Sequence, residues 1–137
     1  MQRFFLTLMI ATATSGCATI ETSPCGANHV LHNQLCWSQS INNGDFKKAD
    51  AFCQQYGYRL PTINELAPFC SASGGLPNFN RPGADATEFW STTRDPSSSN
   101  TNLITVSPNC RQESSVFLNA KYYFCVKPMP VAPIATN

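Results

Sequence analysis

Apolar residues open the chain as one block and then disperse into short periodic patterns. Residues 4–11, FFLTLMIA, form an apolar run preceded by Arg3 and followed by the small residues TATSG and then Cys17. A positive charge, a short apolar core and small residues at a cut are the layout of a secretory signal peptide. The run is too short to cross a bilayer, which takes roughly 20 apolar residues. Residues 1–16 are therefore predicted to be removed, leaving 17–24 as a short tether.

Downstream, Val30, Leu31 and Leu35 flank His32-Asn33-Gln34, the pattern of a small hairpin turning near Asn33, with Cys25 and Cys36 placed to staple its ends. Asn43-Gly44-Asp45 signals a helix start with Asp45 as N-cap. Phe46, Ala49, Phe52, Cys53 and Tyr56 recur at helical spacing, and Gly57 stands where a C-cap glycine belongs. A first helix is predicted over about 46–56. Thr62 and Glu65 make a capping box that starts a second helix over about 63–70, with Ile63, Leu66, Ala67 and Cys70 toward the core. Pro68 is expected to shorten it.

Residues 71–86, rich in Gly, Pro and Asn, read as a long surface loop. Beyond them the pattern becomes that of strands: 87–93 with Phe89 and Trp90, 102–107, and the pair 115–118 and 122–126 about a turn at Asn119-Ala120-Lys121. Residues 128–137 are proline-rich and predicted to be disordered. Helices first and strands afterwards imply an α+β domain over 25–127.

The seven cysteines sharpen this picture. Thr14-Ser15-Gly16-Cys17 resembles a bacterial lipobox, with Thr14 where Leu is usual. Cys17 is thus the expected lipidation site, and by resemblance to enterobacterial sorting rules Ala18 rather than Asp after it implies the outer membrane. Acyl chains anchor a protein through about 0.8 kcal/mol per buried CH₂. The six remaining cysteines imply three bridges in an oxidising compartment, with fifteen pairings open. No two of them stand at the Cys-x₂₋₄-Cys spacing of zinc sites, so no metal-thiolate site is expected. Removing Arg3 with the signal leaves Lys and Arg equal in number to the eight Asp and Glu. A chain without a basic excess is not a nucleic-acid binder.

Four segments carry a resemblance. Ala49-x-x-Phe52-Cys53, the run GYRLPTINEL over 57–66, FWSTT over 89–93 and Tyr123-Phe124-Cys125-Val126 resemble the Lcl C-terminal domain family, a branch of the C-type lectin-like fold, across residues 36–127. The resemblance implies two helices packed on a small antiparallel sheet with three disulfides. It also implies their connectivity: Cys25–Cys36, Cys53–Cys125 and Cys70–Cys110. The formylglycine-generating branch shares a similar RLPT segment, but its activity needs free thiols that three bridges consume. With no Ser-x-x-Lys or Gly-x-Ser-x-Gly present, the chain reads as a non-enzyme without a cofactor.

Calcium-dependent lectins carry Glu-Pro-Asn and Trp-Asn-Asp, because Ca²⁺ takes six to eight oxygen ligands. Neither motif is present; Leu76-Pro77-Asn78 echoes the first, but Leu76 cannot ligate. No metal site is expected. Trp37 and Trp90 read as packing residues, His29 and His32 as an exposed loop pair, and Arg59 with Glu65 as a local ion pair. Loops 71–86 and 94–101 are the expected ligand-binding face, with Asn78, Asn80, Arg81, Arg94 and Asp95 as candidate contacts. The chain thus reads as a cell-envelope lipoprotein acting as a binding or adhesion module for a glycan or an envelope protein. The alternative is an accessory lipoprotein of an assembly such as a secretion or pilus apparatus.

Overall fold

The computed structural model describes residues 23–79, 87–99 and 101–131. The signal segment, Cys17, Asn80, Arg81 and residues 132–137 lie outside the described residues.

A hairpin comes first, β1 (His29–His32) and β2 (Leu35–Ser38). Its two-residue loop, Asn33 and Gln34, takes φ of 48° and 61°, the positive values that a tight hairpin turn requires at both positions. β3 (Asn42–Gly44) leads into α1 (Phe46–Gln55), which Asp45 caps by accepting the Lys48 N–H at 2.9 Å. Gly57, at φ 74°, reverses the chain at the far end. α2 (Ile63–Ala72) begins where Glu65 reaches back to accept the Thr62 N–H at 2.8 Å. Pro68 does not shorten it. Pro68 and Asn64 lie on the exposed side, where the Asn64 carbonyl that loses its helical donor can meet water.

The strands form two sheets. β2 pairs on one side with β1 and on the other with β8 (Val126–Pro128). The second sheet has the order β3-β7-β4-β5-β6, with β4 (Phe89–Arg94), β5 (Asn102–Val106), β6 (Gln112–Val116) and β7 (Lys121–Tyr123). All its pairings are antiparallel except β4 with β7. The expected hairpin about Asn119 is absent. β6 lies at the edge against β5, while β7 inserts between β3 and β4. No residue from 117 to 121 takes the positive φ that a tight hairpin would need, so the chain crosses over instead. A 3₁₀ turn, Pro96–Ser98, joins β4 to β5. β8 carries the fold to Pro128, and the Met129 N–H donates to the Gln34 carbonyl at 2.8 Å.

Strand alternation serves two cores at once. Tyr123 and Cys125 face a cluster under α1 with Ala49, Cys53 and Trp90. Phe124 and Val126 face a second cluster with Trp37, Leu66 and Phe89. Successive strand side chains point to opposite faces, so one four-residue segment fills both. Trp37 stacks on Phe69 with ring centroids 4.0 Å apart, and the Trp90 indole N–H donates to the Gly44 carbonyl at 2.9 Å. Both tryptophans are buried. Among the described residues no helix is long and apolar enough to cross a membrane.

The bridges are Cys25–Cys36, Cys53–Cys125 and Cys70–Cys110, spanning 11, 72 and 40 residues. Cys70–Cys110 is nested inside Cys53–Cys125, so the shortest path around the outer loop is about 32 residues, and chain entropy makes the outer bridge worth about 1 kcal/mol more than Cys25–Cys36. Both pairs are buried alike. Urea denaturation of the two double-alanine variants should therefore show the larger loss for Cys53 and Cys125. An equal or smaller loss would contradict this ordering.

Candidate functional site

α1 carries a wider apolar stripe than the core can cover. Ala49 and Cys53 are buried, whereas Phe52 is 36% and Tyr56 61% exposed. Phe52 and Tyr56 are four residues apart on one helix face, with ring centroids 5.1 Å apart. The turn at Gly57 then brings Tyr58 back beside them, where its N–H donates to the Cys53 carbonyl at 2.9 Å. These rings wall a groove of about 290 Å³ completed by His29, Ser38, Ser40, Asn42 and Cys125. Exposed rings beside a few hydroxyl and amide groups are the usual construction of a small-ligand site.

The groove's other wall is held by backbone bonds. The Ser38 N–H donates to the Cys125 carbonyl, and the Cys125 N–H donates to Ser38 Oγ, each at 2.9 Å. Arg59 and Val126 exchange backbone hydrogen bonds at 2.9 and 2.8 Å, an antiparallel bridge. That bridge brings Lys127 alongside Tyr58, with its Nζ 4.7 Å from the ring centroid. His29 Nε2 lies 2.7 Å from the Tyr58 hydroxyl. His29 and His32 are separated as alternation on a strand requires: three positions apart, they face opposite sides of β1. His32 lines a different cleft beside Asn64 and Glu65. The expected exposed pair is thus two partly buried side chains in two places.

Among the described loop candidates, Asn78 stands apart from Arg94 and Asp95. Asn78 accepts from the Thr87 hydroxyl at 3.1 Å, just before β4, whereas Arg94 ends β4 and Asp95 follows it. At about 3.3 Å per strand residue, these groups are separated by most of the length of β4, roughly 20 Å. Asp95 has a structural task. It caps the 3₁₀ turn by accepting the Ser97 N–H and hydroxyl at 2.9 and 2.7 Å, and it accepts from the Ser114 hydroxyl. The Ser114 and Ser97 bonds hold its carboxyl below the ordinary aspartate range. The Arg94 guanidinium lies over Phe117, 5.5 Å from the ring centroid.

Asn78 borders a polar cleft of about 320 Å³ with Thr87, Glu88, Ser107, Asn109 and Glu113. Its groups are largely satisfied within the protein. Glu88 Oε2 accepts from Ser115 at 2.6 Å, from Thr105 at 2.7 Å and from Lys121 Nζ at 3.1 Å. The Ser107 hydroxyl is engaged with Asn109 and with the backbone of Arg111. Arg59 and Glu65 make the expected ion pair, bidentate at 2.8 and 2.7 Å. The Arg59 hydrogen bond, opposed by burial, holds Glu65 below the usual carboxylate range. Among the described residues no three His, Cys, Asp or Glu side chains gather as a metal site.

Sequence reasoning missed the groove because Phe52 and Tyr56 share one apolar helical face with Ala49 and Cys53, and spacing does not separate exposed from buried members of a face. The pattern carries no excess signal: Phe46, Ala49, Phe52 and Cys53, with Tyr56 just past the helix, make an ordinary core-facing stripe.

No family profile and no curated protein matches the sequence. Among solved structures, 31 chains match. One, the mouse scavenger receptor C-type lectin carbohydrate-recognition domain, superposes with a TM-score of 0.52 at 13% identity, covering 77% of this chain and 99% of that domain. The likeness is one of fold: the chain has an α+β, C-type lectin-like architecture with two helices, two small sheets and three disulfides.

The buried pair yields a pH prediction. Burial alone would raise the Glu88 pKa, but the Ser115 and Thr105 hydroxyls and Lys121 outweigh it and hold the group below its unfolded value. A depressed carboxyl stabilises the fold above the unfolded pKa and loses that contribution as pH falls through the folded one. Glu88→Gln should cost about 3 kcal/mol at pH 7, because it leaves Lys121 buried without its counter-charge. In urea denaturation the gap to wild type should narrow below about pH 4.3. A gap constant from pH 7 to 3 would contradict the assignment.

Proposed function

We propose that the chain is a cell-envelope lipoprotein whose lectin-like domain is a non-enzymatic binding or adhesion module, with a neutral glycan as its ligand. The observation that carries this is the groove at Phe52, Tyr56 and Tyr58. Sugar rings present apolar C–H faces ringed by hydroxyls. Half-exposed aromatic rings offer a platform for such a face, and Ser38, Ser40 and Asn42 offer the matching polar rim. The balanced charge of the mature chain suits a neutral partner. The fold likeness to a carbohydrate-recognition domain supports the same reading.

This reading moves the ligand from the loop face to the groove. Calorimetric titration with a neutral oligosaccharide identified by glycan array is expected to show a loss of at least about tenfold for Tyr56→Ala, or about 1.4 kcal/mol. Asn78→Ala and Asp95→Ala should bind within about twofold of wild type. The reverse pattern would return the site to the loops.

Anchoring at Cys17, in the outer membrane, is the second part of the proposal. Its support is the short apolar run, the lipobox-like tetrapeptide and the use of the other six cysteines in bridges. Mass spectrometry of the mature protein should find an acylated N-terminal Cys17, and Cys17→Ala should leave the membrane fraction. An unmodified Cys17 in the mature chain would end the anchor reading.

A second reading rests on β1. This edge strand exposes Val30 and Leu31, each 42% accessible, beside a backbone edge that pairs with no further strand among the described residues. An accessory role in an envelope assembly would use that strand. A stable envelope complex with no sugar binding favours it.

A further inference from the structure

One hydrogen bond in the groove has its polarity set from outside. His29 Nδ1 lies 2.9 Å from the Ala27 carbonyl oxygen, and Nε2 lies 2.7 Å from the Tyr58 hydroxyl. A carbonyl oxygen only accepts, so Nδ1 carries a proton. In the neutral ring Nε2 is then bare and accepts. The single Tyr58 hydroxyl proton is committed to Nε2, and Tyr58 presents only lone pairs to a ligand.

Addition of a second proton to His29 reverses the bond. Nε2–H now donates, the Tyr58 oxygen accepts, and the hydroxyl proton turns outward as a donor. The two rings are nearly parallel, 11° apart with centroids at 5.5 Å, so the exchange needs rotation of one hydroxyl and no movement of the rings. Two other titratable groups face the pair: the Lys127 ammonium over the Tyr58 ring, and the Tyr56 phenol on the same groove. Among the described residues no carboxylate lines the groove. A protonated His29, with Lys127 also against the Tyr58 ring, therefore adds positive charge to a groove that no carboxylate among the described residues lines.

We propose that His29 is a specificity-determining residue of this groove. Neutral, it makes Tyr58 an acceptor and selects ligands that present hydroxyl or amide donors. Protonated, it makes Tyr58 a donor beside added positive charge and favours acidic sugars. The inference rests on the groove being a glycan site, and it adds the ligand class preferred in each protonation state.

The test uses the disulfide-bonded protein and two probes, a tetrasaccharide of N-acetylglucosamine and tetragalacturonate, whose carboxylates stay ionised over the range used. Calorimetry at pH 8 and pH 5 gives the ratio of neutral to acidic affinity. That ratio is expected to fall at least about tenfold on acidification, a free-energy change of about 1.4 kcal/mol. His29→Phe keeps a ring without a titrating group and should hold the ratio within about twofold. Nitrogen-15 NMR of the histidine ring at pH 8 reads the tautomer without any ligand, and Nδ1–H is expected. An Nε2–H tautomer, or a pH-independent ratio with both probes bound, would overturn the role of His29 alone. Binding of neither probe at either pH, with the expected tautomer present, would overturn the glycan reading and the inference with it.

Discussion

The Cys53–Cys125 bridge fixes α1 against the point where the chain passes from one sheet to the other. β7 ends at Tyr123 in the five-stranded sheet, and β8 begins at Val126 in the three-stranded one. Only Phe124 and Cys125 lie between them. Phe124 fills the core under α2, while Cys125 ties back to α1 and exchanges hydrogen bonds with Ser38 of β2. Helix, hairpin and both sheets therefore meet at one residue. The groove is the outer surface of that junction: Cys125 and Ser38 line it, and the last turn of α1 walls it with Phe52 and Tyr56. A covalent link of this kind suits a binding site, since a scaffold already held in place loses little entropy on engaging a ligand.

Polar groups on the loop side are spent on the fold. Glu88 receives three donors and is only 8% exposed, and Lys121 is 4% exposed. Ions buried this deeply persist because their partners are close, and removal of one strands the other. Asp95 is equally committed, accepting from the Ser97 N–H, the Ser97 hydroxyl and the Ser114 hydroxyl. In the groove the balance is reversed. Tyr56 is 61% exposed, a large apolar area left in water that a ligand's apolar face would cover.

Much of the fold was legible because its signals are local. Asp45, Thr62 with Glu65, and Gly57 state where helices begin and end, and the structure agrees to within two residues. Asn33 states a turn through its tolerance of positive φ. The course of the chain after Val116 was not legible, because β7 finds its partners, β3 and β4, far away in sequence and nothing near Asn119 records that choice. The site was legible only in part. Polar loop residues such as Asn78 and Asp95 resemble ligand contacts until their internal partners are seen. The groove rings resemble core until Phe52 and Tyr56 are found exposed along the groove. His29 and Tyr58 are 29 positions apart, and no periodicity links them.

The central claim is that ligand meets this protein at the α1–hairpin groove. Titration of isotope-labelled protein with a neutral oligosaccharide, followed by NMR shift changes, tests it most directly. The account predicts that the largest perturbations fall on Phe52, Tyr56, Tyr58, His29 and Asn42. Perturbations centred on Asn78, Glu113 and Asp95, with the groove unchanged, would contradict it.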